Sequence, residues 1–223
     1  MDALQQLIPM AVGMLISPLP IVAIVAILLS TRGRSAAPAY VGAFLLVTFA
    51  FVAVGALSTA GAASSSSGSK TVVLVLTALL TLGFTALAVA SWVTRPKDGA
   101  APKAPGWLAA VDTIAPAKAA GLGLLMAATN SKNIPLELKG GALIGAAHLD
   151  VAVAVLLCVV FAVAGSPALI LPTTVAATGS PAVATSPERL KTEMITHNAV
   201  IMTVLFAILA AVEASHLVHQ LRG

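Results

Sequence analysis

The chain has 223 residues, of which 59% are hydrophobic and only 9% charged, and its mean hydropathy is +1.02. A water-soluble domain carries nearer a quarter charged residues, so this composition excludes one and points to a lipid bilayer. Twelve Lys and Arg against eight Asp and Glu give a net charge of +4, but aromatic residues are 4% and the basic residues gather between apolar stretches, where they read as orientation signals and not as a nucleic-acid surface. The single cysteine, Cys158, excludes an intramolecular disulfide and a two-thiol redox pair.

About 20 apolar residues cross ~30 Å of hydrocarbon, and on that measure membrane spans are expected near 4–29, 39–61, 71–93, 117–148, 150–171 and 197–218. Helices are favoured over a barrel because the apolar runs lack alternation. No Lys or Arg precedes Arg32, and the first apolar run is too long for a signal segment, so it is expected to stay as a span. It contains Ser17-Pro18-Leu19-Pro20 near its middle, where two prolines remove helix hydrogen bonds and force a kink or unwinding. The serine-rich run 62–69 forms the tip between the second and third spans. The connection 94–116 carries Pro96, Pro102, Pro105 and Pro116, with Trp107 and Leu108 placed to dip into the interface.

As one continuous helix the fourth span, 117–148, would measure roughly 48 Å at 1.5 Å per residue, more than a bilayer needs. It is interrupted by Asn130-Ser131-Lys132-Asn133-Ile134-Pro135. Before the sixth span, 186–197 reads as a short interfacial helix with Ser186 as N-cap, Pro187 at the first position, and Leu190 and Met194 on one face.

Eight of the twelve basic residues fall on one side of this arrangement: Arg32, Arg34, Arg95, Lys97, Lys103, Lys118, Arg189 and Lys191. Lys70 and Arg222 fall on the other, and Lys132 and Lys139 lie within the fourth span. The positive-inside rule then puts both termini outside.

The chain divides into two three-helix halves, 1–95 and 117–223, joined by the cytoplasmic connection 96–116. An odd number of spans per half makes the second half inverted relative to the first. The fold class expected is an all-α polytopic membrane protein of six transmembrane helices, two inverted repeats, with broken first and fourth helices. Paired breaks at corresponding positions of inverted halves point to a transporter's binding site. Candidate residues for that site are Ser17, Pro18, Pro20, Asn130, Lys132, Asn133 and Pro135. An ammonium at the depth of Lys132 costs at least ~2.5 kcal/mol unless it faces a cavity or a partner. Glu137 is the nearest acid in sequence and Asp112 a second, so a structural ion pair stays open as the rival reading. His148, Asp150, Glu213 and His216 read as polar span ends at the interface, and Gly140, Gly141 and Gly145 as a surface for close helix approach. No hydrolase triad, nucleotide loop or metal-ligand spacing occurs, so neither enzymatic activity nor a cofactor or metal is expected.

The run Ile16-Ser17-Pro18-Leu19-Pro20-Ile21-Val22-Ala23-Ile24, then Leu28 to Arg34, Val111 to Ala119, Asn130-Ser131-Lys132-Asn133 and His197-Asn198, resembles the Gap/Sap proteins. These are the glycolipid-addressing proteins of mycobacteria and related actinobacteria, within the lysine-exporter superfamily. The resemblance implies six helices in two inverted three-helix repeats and delivery of surface glycolipids across the plasma membrane. The family's proline motif falls on Ser17, Pro18 and Pro20, and its Asn-Pro-Lys-Asn motif on Asn130, Lys132 and Asn133, with Ser131 in the proline's place. His197 and Asn198 join Asp112 and Glu137 as candidates for coupling or ion pairing.

The function expected is that of a plasma-membrane transporter or transport accessory for a glycolipid or lipid intermediate. Its partners would be membrane lipids, the cargo and a synthesis or efflux complex, with oligomers compatible and nucleic acid excluded. Export of a small solute such as an amino acid is one alternative, and a non-transporting membrane scaffold is another.

Overall fold

In the computed structural model, the residues described are 5–60, 66–95, 111, 113–178, 193 and 195–222. Among them the chain is helical, with no strand. Residues 62–65 of the serine-rich tip, most of the 94–116 connection with Asp112, Trp107 and Leu108, and all of 186–197 except Glu193 and 195–197 lie outside the described residues, while 66–69 of the tip are helical.

Helices α1 (Leu7–Leu15) and α2 (Pro18–Leu29) meet at a 52° bend. Pro18 supplies no N–H to the Met14 carbonyl and disfavours helical geometry in the residue before it. Ile16 (φ −96°, ψ 93°) and Ser17 (φ −122°, ψ 97°) are accordingly extended, and Pro18 opens α2 at a position that tolerates it. Helices α3 (Gly33–Ala60) and α4 (Ser66–Val93) are 28 residues each.

The segment expected as one long fourth span is two helices, α5 (Pro116–Ala128) and α6 (Asn133–Ala146), with Thr129–Lys132 between them. The chain then turns through His148, whose φ is 50°, and the Asp150 carboxylate accepts from the Ala152 N–H (2.9 Å) to cap α7 (Val151–Ala164). The fifth span, expected as a single helix over 150–171, bends by 76° at Gly165–Ser166 into α8 (Pro167–Ala177). Its cause is the dipeptide that breaks the first span, a serine followed by a proline at the first helical position. Helix α9 (Asn198–Arg222) closes the described chain.

Three helices, Gly33–Ala60, Val73–Val93 and Asn198–Leu221, are each long and apolar enough to cross a membrane, and the two bent pairs bring the number to five if each is one span. Large apolar side chains face outward along them, with Val151 76%, Leu57 72% and Leu82 70% exposed. In water such a surface would aggregate; in lipid it is the expected exterior. The chain is a membrane protein.

Helix α3 runs parallel to α5 and α6, since Gly123 abuts Tyr40, Gly141 abuts Val52 and Gly145 abuts Ala56. The approach is backbone to backbone: a Cβ on Gly141 would lie 1.9 Å from the Val52 carbonyl oxygen, and one on Gly55 would lie 2.2 Å from that of Leu138. Small residues permit this closeness, which in lipid replaces the hydrophobic effect as the source of association. Helix α1 packs on α7, α2 on α8, and α4 on α9, where Phe84 and Phe206 stack with centroids 6.0 Å apart.

Two apolar cores result. One gathers Met10, Met14, Val52, Leu136, Ile144 and Phe161 from the chain before the first and third breaks and after the second. The other gathers Ile24, Ile27, Tyr40, Phe44, Ala127 and Leu169 from the opposite sides of the same breaks. The breaks therefore share one level between the cores, and it is there that polar side chains collect.

Candidate functional site

A broken helix leaves its last carbonyls and the next helix's first amides without intrahelical partners. The first break leaves the carbonyls of Gly13 and Met14 in that state. The Ser17 hydroxyl can donate to the Met14 carbonyl (3.1 Å) or to Asn133 Oδ1 (3.2 Å), and it accepts from Asn130 Nδ2 (3.5 Å). The Gly13 carbonyl accepts from the Lys132 ammonium. At the second break the Asn133 N–H is received by Asn130 Oδ1 (3.2 Å) and by the Asn130 carbonyl (3.0 Å). The second break thus supplies a donor that the first lacks, and Lys132, at the carbonyl end of α1, also sits where a helix dipole favours a cation.

A cavity of about 120 Å³ opens between the breaks. Ser17, Pro18, Pro20, Asn130, Ser131 and Lys132 line it, joined by Met126 of α5, Thr129 of the second break, and Asn198 and Met202 of α9. Asn198 Oδ1 is buried without a hydrogen-bond partner, so the wall keeps an acceptor to spare. Ser17, Asn133, Ser166 and Leu169 surround a second, very small void of about 10 Å³, which ties the third break to the first two.

Of the residues singled out in the sequence, Ser17, Pro18, Pro20, Asn130, Lys132 and Asn133 converge, and Asn198 joins them. Pro135 does not lie in the break; it is the third residue of α6, where a missing N–H costs nothing. His197 is exposed and meets Glu193 (3.2 Å) at the surface.

Lys132 and Glu137 are both 1% exposed, yet they form no contact ion pair: the ammonium serves Gly13, while both carboxylate oxygens of Glu137 lack a hydrogen-bond partner. Thr48 of α3 faces that carboxylate with its own hydroxyl unpartnered, and Lys132 acts on it through space.

The ion pair of this bundle lies elsewhere. Lys139 of α6 and Glu213 of α9, 0% and 1% exposed, are joined directly, and His216 Nδ1 is 4.0 Å from the other Glu213 oxygen. Glu213 and His216 were expected as interfacial span ends. Helix α9 instead continues to Arg222 and turns Glu213 toward α6. Seventy-four residues separate the partners, and no local spacing announces such a pair. His148 and Asp150 are exposed, as expected of polar span ends. Among the described residues no three His, Cys, Asp or Glu side chains converge to hold a metal.

No curated protein and no solved structure matches the chain. A family model described as Sap, sulfolipid-1-addressing protein, matches residues 7–216, from the first residue of α1 into α9, and so takes in all three breaks, the cavity and the ion pair. The chain belongs to the sulfolipid-1-addressing protein family.

Proposed function

We propose that this protein moves, or helps to move, an anionic glycolipid across the plasma membrane toward the cell surface, with the headgroup held in the cavity between the breaks and Lys132 as its counter-charge. The observation that carries the reading is the convergence of two helix breaks on a buried ammonium that no carboxylate neutralises by contact. The family's description names a sulfolipid, and a sulfate on a lipid headgroup is an anion that such a group would attract. At about 120 Å³ the cavity admits a charged group and excludes acyl chains. Those would stay in the bilayer beside the exposed Leu19 at its rim.

The reading includes six spans in two inverted halves, counting α1–α2, α5–α6 and α7–α8 as one broken span each. The packing supports it. The first span lies on the fifth, the fourth on the second and the third on the sixth, and the first and fourth breaks meet. Exchanging the halves maps this set of contacts onto itself. The parallel course of α3 and α5–α6 is what second and fourth spans must have. Arg32, Arg34 and Lys118 fall at one end of that pair, which as the cytoplasmic end would put both termini outside. Single-cysteine labelling in a Cys158→Ser background tests the orientation: an impermeant reagent should reach a cysteine at His148 but not one at Lys118, and the reverse would invert it.

The small cavity also favours a second reading, export of a small anionic solute. Reconstitution in phosphatidylcholine vesicles separates the two. Fluorescent sulfatide, a sulfated galactolipid, should cross faster than its neutral galactosylceramide counterpart. Equal rates, or no movement of either beside leakage of a small sulfated sugar, would reject the glycolipid reading.

A further inference from the structure

Among the described residues two lysines and two glutamates are buried: Lys132, Glu137 and Lys139 on or at the start of α6, and Glu213 on α9. Lys139 and Glu213 neutralise one another. That leaves Lys132 and Glu137, of opposite sign, close enough to interact but with neither satisfying the other's hydrogen bonds. A buried carboxylate with no hydrogen bond formed at either oxygen, and with the Thr48 hydroxyl as its one polar neighbour able to donate, is a costly arrangement, whereas a protonated carboxyl can donate to that same hydroxyl.

We propose that Glu137 is a proton-binding site linked to the cavity, so that the Lys132–Glu137 pair takes up one proton with each anionic headgroup bound. The inference rests on the reading of Lys132 as the headgroup's counter-charge. With the cavity empty, the pair is net neutral. An anion at Lys132 claims the positive charge, and Glu137, left as a buried carboxylate without a counter-ion, takes a proton from water; no bond other than this O–H forms, and the loaded site is again neutral overall.

Among the described residues Lys132 is the one charge that acts on Glu137, the histidines of α9, His216 and His219, lying about Glu213 instead. Among the helices packed on α6, α1 carries no ionisable residue, α4 none from Thr71 to Val93, α7 only Cys158, and α3 only Arg34 and Tyr40, far N-terminal of Thr48. Helix α5 carries Lys118 at its distal start, and Lys139 on α6 itself is turned to Glu213. Linkage is reciprocal, so lowering the pH must tighten anion binding by the same free energy with which the anion favours the proton.

Sulfatide is a suitable probe because its sulfate has no proton to give or take near neutral pH, so any proton counted belongs to the protein. The experiment is calorimetric titration of sulfatide into the full chain in phosphatidylcholine nanodiscs, in two buffers of different ionisation heat, which yields the protons taken up per lipid bound. The expected result is about one for the wild-type protein, with affinity changing up to about tenfold per pH unit, as one linked proton requires. Lys132→Arg, whose guanidinium stays charged, should keep the uptake, and the Lys132→Arg/Glu137→Gln double variant should lose it. Binding abolished by Lys132→Met, but with no proton taken up in the wild type, overturns this inference alone. Uptake that persists in the double variant overturns it too. No Lys132-dependent binding at all removes the glycolipid reading and this inference with it.

Discussion

Two buried lysines, Lys132 at the N-cap of α6 and Lys139 within it, solve the same problem differently. Lys139 is joined to Glu213 of α9 and lines none of the cavities at the breaks. Lys132, half a helix away, is equally buried, but its ammonium is given to a backbone carbonyl orphaned by the first break and it lines the cavity. A lysine closed by a carboxylate ties helices together and has no positive charge left to offer. One that rests on a single carbonyl retains most of its charge for a ligand, and the difference separates the lysine that holds the bundle from the one that faces the cavity.

The largest expected effect strikes the closed lysine. Lys139→Met strands the Glu213 carboxylate, and thermal unfolding in detergent should show a loss of about 3–5 kcal/mol, largely restored by adding Glu213→Gln. An undisturbed Lys139→Met protein would remove the structural half of the contrast.

Next comes the seat on which both lysines ride. Gly141→Ala drives a Cβ into the Val52 carbonyl, and lifting α6 off α3 should cost about 1–3 kcal/mol in the same unfolding assay. A neutral result would mean that α6 is free to shift, and that the two lysines need not stay in their places relative to one another.

Lys132→Met should behave otherwise. It leaves the Gly13 carbonyl without its donor, at a cost of order 1 kcal/mol, and it removes the counter-charge of Glu137, which on the linkage proposed above takes up a proton, so that no buried charge is left unpaired. Stability should therefore change by about 1 kcal/mol or less while sulfatide movement is lost. The smallest stability effect is expected of Pro18→Ala with Pro20→Ala. Both prolines lie in the first turn of α2, where their missing amides cost little. The new amides would let α1 run into α2 and close the cavity, so the double variant should fold normally, show higher helical content by circular dichroism, and fail to transport.

The breaks were legible in the sequence where their cause is local. Ser17-Pro18-Leu19-Pro20 removes amide donors by covalent structure, and Asn130 to Asn133 places polar groups where an apolar run should continue, so both interruptions could be read without knowing the fold. The third was hidden by the unbroken hydropathy of 150–171, although Ser166-Pro167 repeats the dipeptide of the first. Pro135 shows the limit of counting prolines, because position within the helix, and not presence, decides whether one breaks it. The Lys139–Glu213 pair was beyond reach, since it depends on which face α9 turns to α6. Glu137 could be named from sequence as a partner for Lys132, but its lack of hydrogen-bond donors could not.

On the reading proposed above, Lys132 serves the cargo and Lys139 serves the fold. Its most direct test compares fluorescent-sulfatide movement in phosphatidylcholine vesicles holding Lys132→Met with that in vesicles holding the Lys139→Met/Glu213→Gln double variant, both checked for folding. Movement should be abolished in the first and close to wild type in the second. Wild-type movement in Lys132→Met, or loss confined to the well-folded double variant, would contradict it.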